Sequence, residues 1–462
     1  MCSVQTVTTR NANIILFLII ILLFSFVSMI AANSAFMVTN KIYQGVSVGD
    51  IDVGGLSIVE AEQEIAAVFK ERTSEATIAL MYNNKQWRIT AQDIELSINA
   101  GELARQAYAV GRTGNIIERL KERYLAVNQG YSLLLTVHYN YDKLGSELRN
   151  IAKQIERQPE NAKLKPSRTL AHIGIFPEVV GRKVDLDKTI AAVTAKLNTH
   201  LTFRVNVVVE ELMPAVVSND LVHIDGLIAS YTTHFDPWDQ NRTQNVLLAA
   251  KSVNDILVRA GEVFSFNDIV GLRLDKFGYK EAPVYLNGVL VPDWGGGVCQ
   301  VSSTLYNAVL LADLAIEERT AHFRPPGYVP LGQDATVADN QLDFRFKNTS
   351  LHNIYITGEV FGNQLVINIF GKQLENPPHI SVIATDKRIL EPNTLIKQDP
   401  NLELGKEVTD VEGQKGFLVS THRIKKVDGK IVAREFLAAD EFEPVDKIVR
   451  VGTKIPPNEQ KK

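Results

Sequence analysis

The sequence predicts an α+β multidomain protein hung from a single N-terminal transmembrane helix. Three observations predict it: an uncharged apolar stretch between Arg10 and Lys41, a strand, glycine turn and capped helix that recur between about residues 42 and 212, and a β-branched, strand-like stretch from Pro378 to Lys454. At 462 residues the chain is too long for one hydrophobic core, and it suggests about three globular parts of roughly 150 residues each.

Between Arg10 and Lys41 no Asp, Glu, Lys or Arg appears, and residues 14–30 are almost purely apolar. A hydrocarbon core about 30 Å thick needs roughly 20 apolar helical residues, and residues 13–32 supply them. A cleaved secretory signal is the rival reading, because Ala31-Ala32-Asn33-Ser34-Ala35 follows. Against it, a signal core usually runs about 7–15 residues, and the small-residue step here is imperfect. With Arg10 before the apolar run, the positive-inside rule puts the N-terminus in the cytoplasm and everything from about Asn33 outside. Residues 1–40 are thus expected to form a cytoplasmic tip and a single pass through the cell membrane.

Hydrophobic residues at 45% and charged residues at 22%, with no low-complexity tract, describe a folded ectodomain rather than a disordered one. A net charge of −4 gives no basic footprint for nucleic acid or for polybasic lipid contact. Metal-binding spacings such as H-E-x-x-H or paired C-x-x-C are missing, as are the Walker, Rossmann and G-x-S-x-G signatures, so neither metal nor cofactor is expected. The two cysteines, Cys2 and Cys299, fall on opposite sides of the membrane and cannot pair, which leaves hydrophobic cores to hold the ectodomain.

Residues 41–215 read as repeated α+β units. Extended segments are broken at Gly45, Gly49 and Gly54-Gly55; Ser57 and Glu60 then form a capping box, and Ala61, Ile65, Val68 and Phe69 repeat at helical spacing. Asn99 and Glu102 offer a second helix start before Leu103, Ala107 and Val110, and Asp185 or Asp187 a third before Ile190, Val193 and Leu197. Through Gly45-Val46, Val48-Gly49, Val53-Gly54-Gly55-Leu56-Ser57 and the Glu60-Ala61 step, this region resembles a peptidoglycan-binding domain of membrane-anchored envelope proteins. The resemblance implies peptidoglycan or another wall polymer as partner. Few aromatic side chains are present to stack on sugar rings, and the plain alternative is a set of spacers.

Residues 216–376 carry the densest motifs, above all Gly295-Gly296-Gly297-Val298-Cys299-Gln300-Val301-Ser302-Ser303-Thr304-Leu305-Tyr306-Asn307. Val301, Leu305, Ala308, Val309 and Ala312 mark one face of a helix, which places Cys299 in its first turn after a glycine run. Unpaired N–H groups and the helix dipole there draw a thiol pKa down from about 8.5. The glycines allow close approach and offer N–H groups to an anion. A nucleophilic cysteine needs a base and an orienting acid: His322 follows the helix, and Asp334 and Asp343 follow on expected strands. Helix-borne Cys, then His, then Asp is similar to the transglutaminase-like and papain-like arrangement.

The same region resembles the VanW family. Residues carrying the likeness include Tyr231-Thr232-Thr233, Asn241-Arg242, Phe264-Ser265-Phe266-Asn267, Val270-Gly271, the Gly295 to Asn307 stretch, Arg319, His322, Tyr328-Val329-Pro330, Gly332, Asp334-Ala335-Thr336-Val337 and Leu342-Asp343-Phe344. The resemblance implies a cell-envelope setting and no defined reaction. Three readings follow from the residues. The first is a binding module in which Gly295, Gly296, Gly297, Gln300, Ser302 and Ser303, with Arg242 and Arg319, hold an anionic group of a wall polymer. The second is an acyl-transfer or hydrolytic enzyme acting on wall peptides, using Cys299 as nucleophile, His322 as base and Asp334 or Asp343 behind it. The third is a non-catalytic structural or adhesive surface protein with a buried cysteine.

Residues 377–454 read as an extended β module, with Asp428-Gly429 as a type I′ hairpin turn between Ile424–Val427 and Lys430–Ala433. Gly429-Lys430-Ile431-Val432 and the closing Lys447-Ile448-Val449, Val451-Gly452-Thr453-Lys454 resemble the G5 domain, which implies a wall-facing adhesive or spacer element. Residues 455–462, with Pro456-Pro457, read as a disordered tail.

Overall fold

The computed structural model describes residues 14–25, 39–167, 173–197, 199–286 and 289–454. Residues 14–25 are helical, with exposed side chains from Ile14 to Phe24. Twelve helical residues rise only about 18 Å, and no helix among the described residues is long and apolar enough to cross a membrane. The remainder of the expected span, with Cys2, Arg10 and the expected tail at 455–462, lies outside the described residues.

The chain divides into two compact units, Met1–Gln158 with Gly181–Leu212, and Pro159–Val180 with Met213–Lys462. A linear boundary at 215/216 therefore misses an excursion. The hairpin of Lys163–Pro166 and Ile173–Phe176 belongs to the second unit, where Leu164 packs with Leu221, Tyr355 and Phe370.

The first unit holds two α+β cores. In one, Val46–Val48 pairs antiparallel with Ile51–Asp52 and parallel with Tyr131–Leu133. The helices Ile58–Ser74, Ala100–Ala109 and Ile116–Gln129 bury Ala61, Ile65, Leu103, Ala107 and Ala126 beside this sheet. Ser57 and Glu60 close the expected capping box, and Asn99 caps the next helix at the Glu102 N–H, 3.0 Å away. In the other core, Thr77–Tyr82 lies between Lys85–Thr90 and Phe203–Asn206. Helices Tyr141–Ile155 and Leu186–Leu197 contribute Leu144, Leu148, Val193 and Leu197. Of the two expected caps for the last helix, Asp185 does the capping, accepting from Lys188 N at 2.9 Å.

The second unit is built around the helix Val298–Leu311. A four-stranded antiparallel sheet, in the order Gly226–His234, Gln364–Gly371, Ile354–Phe361, Ile256–Val258, packs with it. A second sheet joins Val263–Ser265, Arg345–Lys347 and Ala315–Glu318, and the helix Gln240–Ser252 completes the layer. Periodicity predicts one buried face for Val298–Leu311; instead every residue from Gln300 to Leu310 is buried, because strands, loops and the neighbouring helix enclose it.

The same unit contains the β module as two three-stranded sheets. One comprises His379–Leu390, Gly416–Val427 and Lys430–Phe442; the other comprises Thr394–Glu403, Lys447–Lys454 and Glu407–Val411. At the expected turn, Asp428 and Gly429 take φ of 50° and 75°, and Val427 pairs with Lys430, as a type I′ hairpin requires.

Candidate active site

Cys299 lies in the first turn of Val298–Leu311, partly exposed, with Gly297 as a left-handed N-cap at φ 106°. The glycine run is explained by packing. A Cβ at Gly295, Gly296 or Gly297 would come within 2.9 Å of Arg273 Cβ, 2.7 Å of the Ala282 carbonyl oxygen and 2.9 Å of Arg242 Cγ respectively. The protein's own atoms crowd these glycines, so the run serves close packing of the helix start.

The buried polar residues of this helix bring the rest of the site to it. Ser302 Oγ donates to the Ala335 carbonyl at 2.6 Å, Ala335 N donates to Ser303 Oγ at 2.9 Å, and Asn307 Nδ2 donates to the Gln333 carbonyl at 2.7 Å. Segment 333–335 is thereby clamped along the helix. A bridge between Thr320 and Thr336, with Thr336 N donating to Thr320 O at 2.8 Å, then sets residues 319–322 beside it.

Asp334 and His322 meet at that junction. His322 Nδ1 is 2.6 Å from Asp334 Oδ2, and the His322 backbone N–H donates to the same oxygen at 2.7 Å. The Cys299 thiol and the His322 imidazole act on each other electrostatically, each shifting the other toward its charged form. Sγ also reaches the Val337 carbonyl at 3.4 Å. Asp334 is completely buried and is held from behind by Arg319, whose Nη2 donates to Oδ1 at 3.1 Å and whose Nε donates to the Asp334 carbonyl at 2.6 Å. Arg319 Nη1 continues the line to Asp440 Oδ1 of the β module at 2.6 Å. Imidazole, carboxylate, guanidinium and carboxylate thus form one chain of charge-assisted contacts.

The electrostatics follow from these contacts. Burial alone raises the Cys299 thiol, but His322, the Val337 carbonyl contact and Arg273 together hold it below its ordinary value. Burial alone lowers the His322 imidazole, but Asp334 and Cys299 together push it up to about 9. Burial raises Asp334, and His322 and Arg319 bring it below the usual carboxylate range. Each group of the pair is thus shifted toward its charged form, the thiol toward thiolate and the imidazole toward imidazolium.

The remaining candidates lie elsewhere. Asp343 does not meet His322; it accepts from Ser265 Oγ at 2.6 Å and Asn267 N at 2.9 Å and caps that corner. Gln300 is buried, accepting from Arg242 Nη2 at 2.7 Å and donating to Thr233 Oγ1 and the His234 carbonyl at 3.0 and 2.9 Å. Ser302 and Ser303 are buried in the clamp, and Arg319 is only 5% exposed between two carboxylates. Gln300, Ser302, Ser303 and Arg319 consequently face protein rather than a ligand.

Three participants carry no sequence signal as site residues. Tyr328 lies within the field of Cys299; burial, with that negative charge added, pushes its phenol well up. Arg273, packed on Gly295 and ion-paired with Asp339, adds positive charge toward the thiol. Arg273 also lines a cavity of about 520 Å³ with Asn267, Glu318, Asp339, Asp343 and Arg345, a volume that suits a small polar ligand. The third is Asp440, which reaches the line from 121 residues after Arg319. Among the described residues no cluster of His, Cys, Asp and Glu is arranged to hold a metal ion.

A cysteine-centred α+β domain that shares a compact unit with a β module, with a separate unit of α+β cores before it, is the class of protein these features define. The chain belongs to the VanW like protein family, which it matches over residues 241–370. Residues 87–203 match the family described as "Putative peptidoglycan binding domain", and residues 382–454 match the G5 domain. The chain is 34% identical over 238 residues to the uncharacterized protein YoaR of Bacillus subtilis (strain 168), covering 51% of this chain and 77% of that protein. It is 31% identical over 159 residues to the vancomycin B-type resistance protein VanW of Enterococcus faecalis (strain ATCC 700802 / V583), covering 31% of this chain and 58% of the relative. Among solved structures, an IgA1 protease G5 domain is 27% identical, with a TM-score of 0.14, and the match covers 17% of this chain and 96% of that one. This order of domains is that of a cell-wall associated protein.

Proposed function

We propose that this chain is a membrane-anchored envelope enzyme that uses Cys299 for acyl transfer or hydrolysis on wall peptides. The observation that carries the reading is the His322–Asp334 pair at 2.6 Å beside Cys299 at the helix start, with the thiol driven down and the imidazole up. The thiolate attacks a peptide carbonyl carbon and forms a C–S bond. The C–N bond breaks, and the imidazolium proton goes to the departing amine. Water or a second amine then takes the acyl group from the thioester, giving up its proton to His322 and restoring the free thiolate and the imidazolium. Peptidoglycan as partner is supported by the match over residues 87–203. The uncharged stretch around residues 14–30 supports a single pass with the N-terminus inside.

Full-length protein in detergent, in a Cys2→Ser background, tests the chemistry. Iodoacetamide should alkylate Cys299 with an inflexion well below pH 8.5, and incubation with muropeptides should give mass changes that Cys299→Ala abolishes. An ordinary thiol profile together with unchanged muropeptides overturns the enzyme. The binding reading is then left, supported by the peptidoglycan-binding family match alone.

A further inference from the structure

The helix Ile116–Gln129 carries Ile116, Ile117, Leu120, Tyr124 and Val127 with 68, 79, 39, 64 and 64% of their surfaces exposed. At 3.6 residues per turn these five fall within one arc of about 100°. The opposite side is the packed one, where Ala126 is buried and Glu122 accepts from the Gly111 N–H at 2.6 Å. Both acids of the helix are occupied, Glu118 in the capping box with Asn115 and Glu122 at Gly111. Arg119 and Arg123 are likewise held, at the Gly114 and Gly111 carbonyls, which leaves the exposed Lys121 as the basic side chain bordering the apolar arc.

The entering chain says what covers this face. Arg112 Nη2, just before the helix, donates to the carbonyls of Thr39 and Lys41 at 3.1 and 2.6 Å. The guanidinium groups of Arg112 and Arg123 lie 4.1 and 4.9 Å from the Tyr43 ring centroid. Residues 39–43 are therefore fixed beside the helix. Only residues 33–38 separate them from the end of the apolar stretch, and six residues reach at most about 20 Å.

We propose that the outer face of Ile116–Gln129 rests in the interfacial layer of the lipid bilayer and seats the first core on the membrane. The inference rests on the proposed membrane anchor. Apolar side chains enter the acyl boundary, the Tyr124 ring sits at headgroup depth, and the exposed Lys121 side chain at the border of the arc reaches anionic headgroups.

Full-length protein reconstituted into vesicles of phosphatidylethanolamine, phosphatidylglycerol and cardiolipin, with benzoylphenylalanine at position 117, 124 or 153, provides the test. Position 153 is an exposed control on another helix. Lipid adducts should exceed the control about tenfold at 117 and 124, and Ile117→Asp combined with Leu120→Asp should abolish the adduct at 124 while circular dichroism stays unchanged. Co-flotation with the vesicles but adducts no greater than the control, or adducts joining two copies of the chain, overturns the inference with the anchor intact. Failure to co-float overturns the anchor itself and the seating with it.

Discussion

The helices Ile116–Gln129 and Val298–Leu311 are each fourteen residues long and break the ordinary pattern in opposite directions. The first turns Ile117 and Tyr124 outward; the second takes Gln300, Ser302, Ser303, Thr304 and Asn307 into the core. Burying polar side chains is unfavourable unless their hydrogen bonds are made, and in Val298–Leu311 they are made to the segments that deliver Asp334 and His322. Exposing five large apolar side chains is unfavourable unless something covers them. The lesson of the pair is that residues violating the inside-outside rule mark where the chain does more than fold.

The strongest way to break the inner helix's arrangement is Asp334→Ala. Arg319, 5% exposed, would keep only Asp440 as a carboxylate partner, and His322 would lose its orienting acid. Breaking a buried pair costs about 3–5 kcal/mol, so urea unfolding followed by tryptophan fluorescence should show a loss of that size, and alkylation of Cys299 should revert to an ordinary thiol profile. Asp440→Ala leaves Arg319 paired with Asp334 and should cost less, with a smaller rise in the alkylation inflexion. Next comes Asn307→Leu, which keeps volume but removes the donor to the Ser303 and Gln333 carbonyls, each 2.7–2.8 Å away. An unsatisfied buried acceptor costs about 1–3 kcal/mol, and slackening of segment 333–335 should lower alkylation with it.

The pH dependence sharpens the same comparison. His322 is raised from its ordinary 6.5 to about 9, so its contribution to stability is complete below about 6.5 and is lost as the pH rises through about 9. With Cys299 replaced by Ser, which removes the opposite-signed titration of the depressed thiol, the thermal midpoint should fall more steeply as the pH rises from about 6.5 than in the same protein carrying His322→Gln. Equal slopes would mean that the imidazole is not held charged.

Much of this was legible in the sequence where the signal is local. Ser57 with Glu60, Asn99, Asp185 and Asp428-Gly429 each satisfy a backbone group within three or four residues. His322 and Asp334, twelve residues apart, meet at 2.6 Å. What was not legible depends on distant partners. Serines at 302 and 303 after a glycine run read as ligand-facing, and only segment 333–335 makes them internal clamps. Arg319 reads as a substrate anchor until Asp440 meets it. The helix Ile116–Gln129 carries a capping box of Asn115 with Glu118, but its apolar arc does not point to a core.

The smallest expected effect lies on that outer arc. Ile117→Ser changes a side chain that is 79% exposed, and surface substitutions usually stay within about 0.5 kcal/mol, so urea unfolding in detergent-free buffer should barely move. Leu120→Ser, at 39% exposure, should cost slightly more. In vesicles the order should change, because each side chain removed from the acyl boundary forfeits about 25 cal/mol per Å² of apolar surface. Hydrogen exchange across residues 116–129 should then quicken in the variants relative to the native protein, with no difference in detergent-free buffer. Equal protection with and without vesicles would mean that the arc is an exposed stripe without a partner, and the contrast with Val298–Leu311 would reduce to the inner helix alone.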